Sequence, residues 1–248
     1  MTNDVDFNEK KLTQAHLDFI STVSHELRTP LTSIRGFADT LINSFDKLSP
    51  EQQMKFLHII KDQSNRLINL VENLLAVSKI QSEQESLIFK SVNVKSVIDS
   101  CIQIVKPQYK KHSYQVDLEN DLPNIFVDID KFQQILLNLL DNASKYSEGG
   151  SLVKVKAYQN ISKNTVIIKV IDEGIGISEN DKDKIFNKFS RIDSPLTRKV
   201  QGSGLGLFIT KNLVQNMRGS INVYNNTSSK GSTFEVEFPI SNYEKSMI

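Results

Sequence analysis

Glycine is segregated along this chain. Nine of its ten glycines lie beyond Gln84, and ahead of that point only Gly36, Pro30 and Pro50 interrupt the sequence. Glycine and proline are the residues least compatible with a helix interior. The opening third is therefore free to run as long helix, and the remainder is not. The change of texture places a boundary between Ser82 and Ser91.

Ile20, Leu27, Ile34 and Leu41 recur at intervals of seven, with Ser24, Leu31, Ala38 and Phe45 as a companion row four residues further on. A second stripe joins Ile60, Leu67 and Leu74, with Gln63, Leu70 and Val77 beside it. This spacing is the narrow apolar seam of a helix in a bundle or coiled coil. Between the stripes lies Asp46-Lys47-Leu48-Ser49-Pro50-Glu51, where Ser49 suits a helix N-cap and Pro50 a first helical turn. The pattern predicts a helical hairpin with arms of ~35 residues, about 50 Å long. Two helices with narrow stripes bury little alone, so a dimer closing a four-helix bundle is expected.

Past the boundary the periodicity changes. Val94 to Val105 and Asp130 to Tyr146 read as helices, the second with Phe132, Ile135, Leu136, Leu139 and Leu140 as its apolar residues. A further helix from about Leu205 to Met217 precedes Gly219. Strand patterns occur from Tyr114 to Leu118, Ile125 to Val127, Val153 to Ala157, Val166 to Ile171, Ile221 to Tyr224 and Phe234 to Phe238. In the last, Phe234, Val236 and Phe238 alternate with Glu235 and Glu237, which sets an inner and an outer face. The expected product is an α/β layer sandwich.

Several groups carry chemistry. With Ile20 as heptad position a, His25 falls at f, the position farthest from the seam, so its imidazole is expected in solvent. Pro30 stands in the middle of the same helix, where it removes a backbone hydrogen bond. Thr29 shares a helix face with His25. Asn138 and Asn142 are four residues apart, with Lys145 a turn further on. An amide oxygen is a suitable Mg²⁺ ligand, and a lysine is a point charge for phosphate. Asp172-Glu173-Gly174-Ile175-Gly176-Ile177 closes an apolar strand. Its glycines let the backbone approach a flat ligand, and its aspartate can accept from an exocyclic amine. Gly202-Ser203-Gly204-Leu205-Gly206-Leu207 opens a helix, where free N–H groups favour an anion. Neither glycine run has the spacing of a dinucleotide fingerprint or a P-loop. The polar stretch between them, Asn187 to Gln201, carries Arg191, Arg198 and Lys199 and suits a basic loop over phosphates.

Composition removes other classes. Lys and Arg number 30 against 29 Asp and Glu, a net charge of +1, which argues against nucleic acid held by bulk positive charge. The single cysteine, Cys101, excludes an intramolecular disulfide framework and a multi-cysteine metal site. No apolar run approaches the ~18 residues a bilayer span requires.

Taken in order, these motifs resemble the catalytic core of a sensor histidine kinase, over a span from about His16 to Pro239. Ser24-His25-Glu26-Leu27-Arg28-Thr29-Pro30-Leu31 is similar to the family's H box, and Asn138 through Asn142 to Lys145-Tyr146 to its N box. Asp172 to Gly176 resembles G1, Phe186-Asn187-Lys188-Phe189-Ser190-Arg191 the F box, Gly202 to Leu207 G2, and Gly231-Ser232-Thr233-Phe234 the third glycine motif. The lid segment Arg191 to Arg198 looks most like cyanobacterial and algal-plastid members.

The resemblance implies a dimeric four-helix bundle followed by an α/β sandwich ATP-binding domain with a mixed sheet. It divides the chain into a signalling-helix remnant at 1–15, a dimerisation and phosphotransfer hairpin at 16–84, and an ATP-binding domain at 91–240. It implies that His25 accepts the γ-phosphoryl group of ATP with Glu26 as general base, and that the group passes to an aspartate of a response regulator. Thr29 matches the position that directs water in dephosphorylating that regulator. Asn142 would hold Mg²⁺ with Asn138 in support, and Lys145, Tyr146 and Arg191 would contact phosphates. Asp172 would accept from the adenine amine, with Gly176 giving the base room, and Gly174, Ile177, Phe189 and Leu205 would be further ATP-binding residues. Gly202, Gly204 and Gly206 would lie under the phosphates, and Thr233 would support the adenine end. Two other readings exist, a gyrase- or chaperone-type ATPase and a non-catalytic dimeric scaffold; the His25 hairpin argues against the first, and Asn142, Asp172 and Gly204 against the second. Family members usually carry a sensor region ahead of the hairpin, often with membrane spans. The segment is thus expected to touch neither membrane nor nucleic acid and to be the output half of a longer sensor, working in the cytoplasm or a plastid stroma.

Overall fold

With Gly36 as its one glycine, the first third of the chain forms two long helices. The computed structural model describes residues 2–81, 86–190, 192, 202–227 and 229–240, with backbone alone for 2–19 and 81. Helix α1 spans Thr2–Ser44 and continues through Pro30, and α2 spans Pro50–Gln81. The reversal between them is held by a capping box: Gln52 N donates to Ser49 Oγ, and Ser49 N donates to Gln52 Oε1 at 2.9 Å. Gln53 Nε2 adds a bond to the Phe45 carbonyl at 2.9 Å.

Within the hairpin, Leu41, Leu70 and Val77 are buried, and the Phe37 and Phe56 rings lie 5.1 Å apart. Pro30 is buried too. The companion row expected on α1 does not join this seam: Leu31 is 57% and Phe45 54% exposed. The row three residues beyond Ile20, Leu27 and Ile34, formed by Val23, Pro30 and Phe37, takes that place. The reason is geometric: i+3 and i+4 fall on opposite sides of position a, and the short reversal carries α2 along the i+3 side. The result is a second apolar stripe left in solvent, Leu31, Ile42 and Phe45 on α1 with Met54, Leu57, Ile68, Val71 and Leu75 on α2.

The chain divides into two compact units, Met1–Ser78 and Lys79–Ile248. Among its described residues the second unit holds three α-helices, α3 (Val94–Val105), α4 (Ile129–Lys145) and α5 (Gly206–Asn216). Its strands are β1 (Phe89–Val92), β2 (Ser113–Leu118), β3 (Ile125–Asp128), β4 (Leu152–Asn160), β5 (Thr165–Ile171), β6 (Ser220–Asn225) and β7 (Ser232–Pro239). Five strands form a mixed sheet ordered β2-β4-β5-β7-β6, with β2 parallel to β4 and the other pairs antiparallel. The parallel pair needs a crossover, which β3 and α4 supply. Ser91, expected at the end of a linker, belongs instead to β1, which pairs antiparallel with β3. That four-residue strand has one buried side chain, too little alternation to be read from sequence.

The inner face of the sheet is apolar, with Val153, Val155, Ala157, Val166, Ile168, Val170, Val236 and Phe238 buried against the helices. Phe132 of α4 meets Phe238 edge-on at 5.6 Å. Each buried Val, Ile or Phe side chain contributes about 1.5–3 kcal/mol by leaving water. The outer face is polar: Lys169 pairs with Glu235, directly opposite in the register, at 3.0 Å, and lies over the Tyr158 and Tyr224 rings. Helix α4 is capped by Asp128, whose Oδ1 accepts from Asp130 N and Lys131 N. This sheet brings the end of β5 beside the start of β7, with Ile171 opposite Thr233, and it is there that the motifs of the second unit meet.

Candidate functional site

In the first unit, His25 is exposed on α1, as its heptad position requires. Thr29 is exposed as well and donates its hydroxyl to the His25 carbonyl at 3.1 Å. Glu26 points elsewhere. Adjacent helical residues diverge by about 100°, and the Glu26 carboxylate accepts from Arg66 Nη2 of α2 at 3.1 Å, both side chains about four-fifths buried. Among the described residues no hydrogen bond joins Glu26 to the His25 ring.

In the second unit, β5 ends by turning Asp172 inward. Asp172 is 3% exposed and is almost fully dressed. Oδ1 accepts from Gly174 N at 2.8 Å and Ser232 N at 3.0 Å, and Oδ2 accepts from Ser232 Oγ at 2.6 Å. An ionised carboxylate offers about four lone-pair sites. Three are used, and the residue lines a pocket with the rest of its acceptor capacity. Burial raises the pKa of Asp172, while the bonds from Ser232 and Gly174 act to lower it.

The pocket joins elements far apart in sequence. Asn142 comes from α4 and Tyr146 from its C-cap, Asp172, Ile175, Gly176 and Ile177 from the loop after β5, and Ile185, Ser190 and Ile192 from the following segment. Leu207 of α5 and Ser232 and Phe234 of β7 complete it. The wall is mostly apolar with one buried carboxylate, the chemistry expected of a site for a flat heterocycle. Asn142 differs from Asn138. Asn138 Nδ2 donates to Thr210 Oγ1 of α5 at 2.7 Å, which spends it on joining two helices. The Asn142 amide has no side-chain partner among the described residues and lines the pocket. A free amide oxygen there fits a divalent cation carried by a nucleotide.

The remaining described residues singled out from sequence are not in the pocket's lining. Lys145 pairs with Asp141, which also accepts from Tyr109 Oη at 2.6 Å. Gly202 lies 3.9 Å from Tyr146 Oη, measured from the position a Cβ would take. Gly204, at φ +67°, leaves no room for a side chain: a Cβ would stand 2.7 Å from the Phe189 backbone. Phe189 itself has a positive φ of 58°. Leu205 is fully buried, and Gly206 abuts the Asn138 amide. Gly174 packs against the Tyr146 carbonyl. Arg191 lies outside the described residues, as do Arg198 and Lys199. Thr233 donates to Asn226 Oδ1 at 2.7 Å, while its neighbour Ser232 is the one that reaches Asp172. The alternation of β7 carried that signal, since 232 shares the inner face with Phe234 and Val236.

Gly231 closes the turn onto the site. Its φ is +103°, and a Cβ would sit 2.0 Å from the Asp172 carbonyl oxygen. Gly231→Ala is expected to destabilise the second unit by about 2–4 kcal/mol through strain and overlap. Thermal unfolding checks this, with the melting temperature falling by about 5 °C or more.

Comparison with known proteins agrees with this geometry. Residues 15–83 match a family model described as the His Kinase A (phospho-acceptor) domain. Residues 127–242 match one described as a histidine kinase-, DNA gyrase B- and HSP90-like ATPase. The chain belongs to the sensor histidine kinase family. Among curated relatives it is similar to the sensor protein kinase WalK of Staphylococcus haemolyticus, 33% identical over 234 residues, covering 93% of this chain and 38% of WalK. It is also similar to the sensor-like histidine kinase ycf26 of Pyropia yezoensis, 34% identical over 246 residues, covering 94% of this chain and 36% of that protein. The kinase core thus spans well under half the length of these relatives, and the bacterial and red-algal matches are equally strong. Among solved structures, full-length ShkA in complex with AMPPNP aligns at a TM-score of 0.65 with 28% identity, over 90% of this chain and 46% of that one.

Proposed function

We propose that this kinase core transfers the γ-phosphoryl group of ATP to His25 and passes it to an aspartate on a response regulator. One observation carries the reading: a single chain holds both an exposed histidine on a phospho-acceptor helix and a pocket whose buried carboxylate retains an acceptor site. That acceptor suits the adenine amine, and Ile175, Ile177 and Phe234 suit the faces of the base. AMPPNP in the related ShkA structure is consistent with this use of the pocket. His25 acts as nucleophile through a ring nitrogen, the bond between the β,γ-bridging oxygen and the γ-phosphorus breaks, and ADP departs. Transfer of this kind depends mainly on positioning and charge neutralisation.

The residues present fit a nucleotide-bound Mg²⁺ through the Asn142 amide oxygen, and that ion would neutralise charge on the phosphates. Lys145 and Arg191 supply positive charge to the same groups, and Tyr146 a phenol. Lys145 reaches them by leaving Asp141. Glu26 serves as base at His25 by leaving Arg66. The apolar stripe from Leu31 to Leu75 suits burial against a second copy in a four-helix bundle. The hairpin carries the phospho-acceptor function, the second unit the ATP-binding function, and residues ahead of the hairpin relay an upstream signal. The gyrase-type ATPase alternative has no use for the segment 15–83, which matches the phospho-acceptor model.

Incubation with γ-labelled ATP and Mg²⁺ tests the reading. Acid-labile, base-stable label on the protein is expected, followed by its loss to a receiver domain. Free phosphate without labelled protein would instead support an ATPase.

Thr29 carries a separate expectation. Its hydroxyl proton is spent on the His25 carbonyl, and its oxygen still faces solvent, where it can accept from a water. Thr29→Ala is expected to spare autophosphorylation and slow regulator dephosphorylation by about 10²-fold. Time courses of both activities check this; a parallel fall in the two would make Thr29 a helix-stabilising residue instead.

A further inference from the structure

The loop from Asp172 to Ile177 lines the pocket and leaves the sheet after Asp172, whose backbone N donates to Ser232 O at 2.9 Å. Its two ends are held by side-chain amides of residues about fifty positions away. Asn225, the last residue of edge strand β6, accepts from Ile177 N through Oδ1 at 2.8 Å and donates from Nδ2 to Ile177 O at 2.8 Å. One carboxamide thereby satisfies both backbone groups of Ile177, as a neighbouring strand would. Asn226 holds the other end. Its Nδ2 donates to Asp172 O at 2.7 Å and to Lys230 O at 3.0 Å, while Oδ1 accepts from Thr233 Oγ1 at 2.7 Å. Its backbone N donates to Gly231 O at 3.1 Å, which brings Gly231 against Asp172. Every hydrogen-bonding group of the Asn226 amide is occupied within this bracket.

Neither asparagine lines the pocket, and Asn225 is itself exposed. Two consecutive amides aimed at the two ends of one loop have no role in the sheet, which β6 completes without them. We infer that Asn225 and Asn226 are positioning residues that preset the loop from Asp172 to Ile177 for the nucleotide base. This rests on the pocket being the ATP site. A preset loop lowers the ordering cost of binding. Its loss therefore falls on nucleotide affinity and leaves the phosphoryl-transfer step, which occurs at the other end of the nucleotide.

The test is ADP binding by calorimetry together with autophosphorylation at varied ATP, for the full chain and for Asn225→Ala, Asn226→Ala and Asn225→Asp. Each alanine variant removes two or more hydrogen bonds and is expected to raise the Kd for ADP and the KM for ATP about tenfold. The kcat should stay within about twofold, a split that general destabilisation does not produce. Asn225→Asp keeps the bond from Ile177 N and loses the one to Ile177 O, so an intermediate rise is expected. Unchanged Kd and KM in the alanine variants would overturn the inference, as would a fall in kcat at unchanged KM. If an alanine variant does not fold, Asn225→Asp decides by the same criterion. Wild-type protein that fails to bind ADP would overturn the ATP-site reading itself, whereas wild-type binding with indifferent variants would overturn only the role of the asparagines.

Discussion

His25→Gln is expected to reduce acid-labile labelling from γ-labelled ATP to background. The imidazole is the group that forms the phosphorus–nitrogen bond, and glutamine has no nucleophilic ring nitrogen to replace it. The change should be silent elsewhere. His25 is exposed on α1, and glutamine is at least as good a helix former, so stability is expected within about 0.5 kcal/mol of wild type. His25 is not among the pocket residues, so the affinity for ADP should be unchanged. The diagnostic result is the combination: no label, normal nucleotide binding and a normal melting temperature. Label persisting in His25→Gln would move the acceptor to another residue. Normal labelling chemistry in the wild type would then still leave the kinase reading intact.

Asp172→Asn is expected to separate stability from binding in the opposite sense. Asparagine fits the same cage: Oδ1 can accept from Gly174 N and Ser232 N, and the Ser232 hydroxyl can rotate to accept from the new amide. What changes is the group offered to the pocket, an N–H donor where an adenine amine also donates. Losing a charge-assisted bond costs about 1.5–3 kcal/mol, which is a fall in ATP affinity of about 10–100-fold before the donor–donor conflict is added. The fold should not suffer. Burial raises the pKa of Asp172, so its ionised form is disfavoured in the folded protein relative to the unfolded chain. In the wild type, stability is therefore fully present below the unfolded pKa and is lost as pH rises through the raised, folded value. The variant should therefore match or exceed wild-type melting temperature near neutral pH, and that advantage should shrink on acidification. Calorimetric ADP titration and thermal unfolding at two pH values check both halves. A variant that binds ADP normally would remove Asp172 from base recognition.

Much of this site was legible before any coordinates. The seven-residue spacing places His25 in solvent because a helix has only one face toward its seam. The strand ending at Ile171 delivers Asp172 to the end of the central strand because strand length is written in the apolar run. Other features were legible and pass by easily. Ser232 rather than Thr233 meets Asp172, and the alternation through Phe234 and Val236 already required it.

What the sequence determined by itself is local. Helix and strand positions, the capping box at Ser49 and the glycines that no side chain can replace follow from periodicity and backbone sterics, which act over a few residues. What only the tertiary structure decided are the pairings across tens of residues. Asn138 turns to Thr210, Tyr109 reaches Asp141, Glu26 faces Arg66, and Asn225 and Asn226 bracket a loop about fifty residues away. The partner of a polar side chain is set by which elements pack beside it, and no local pattern encodes that neighbour.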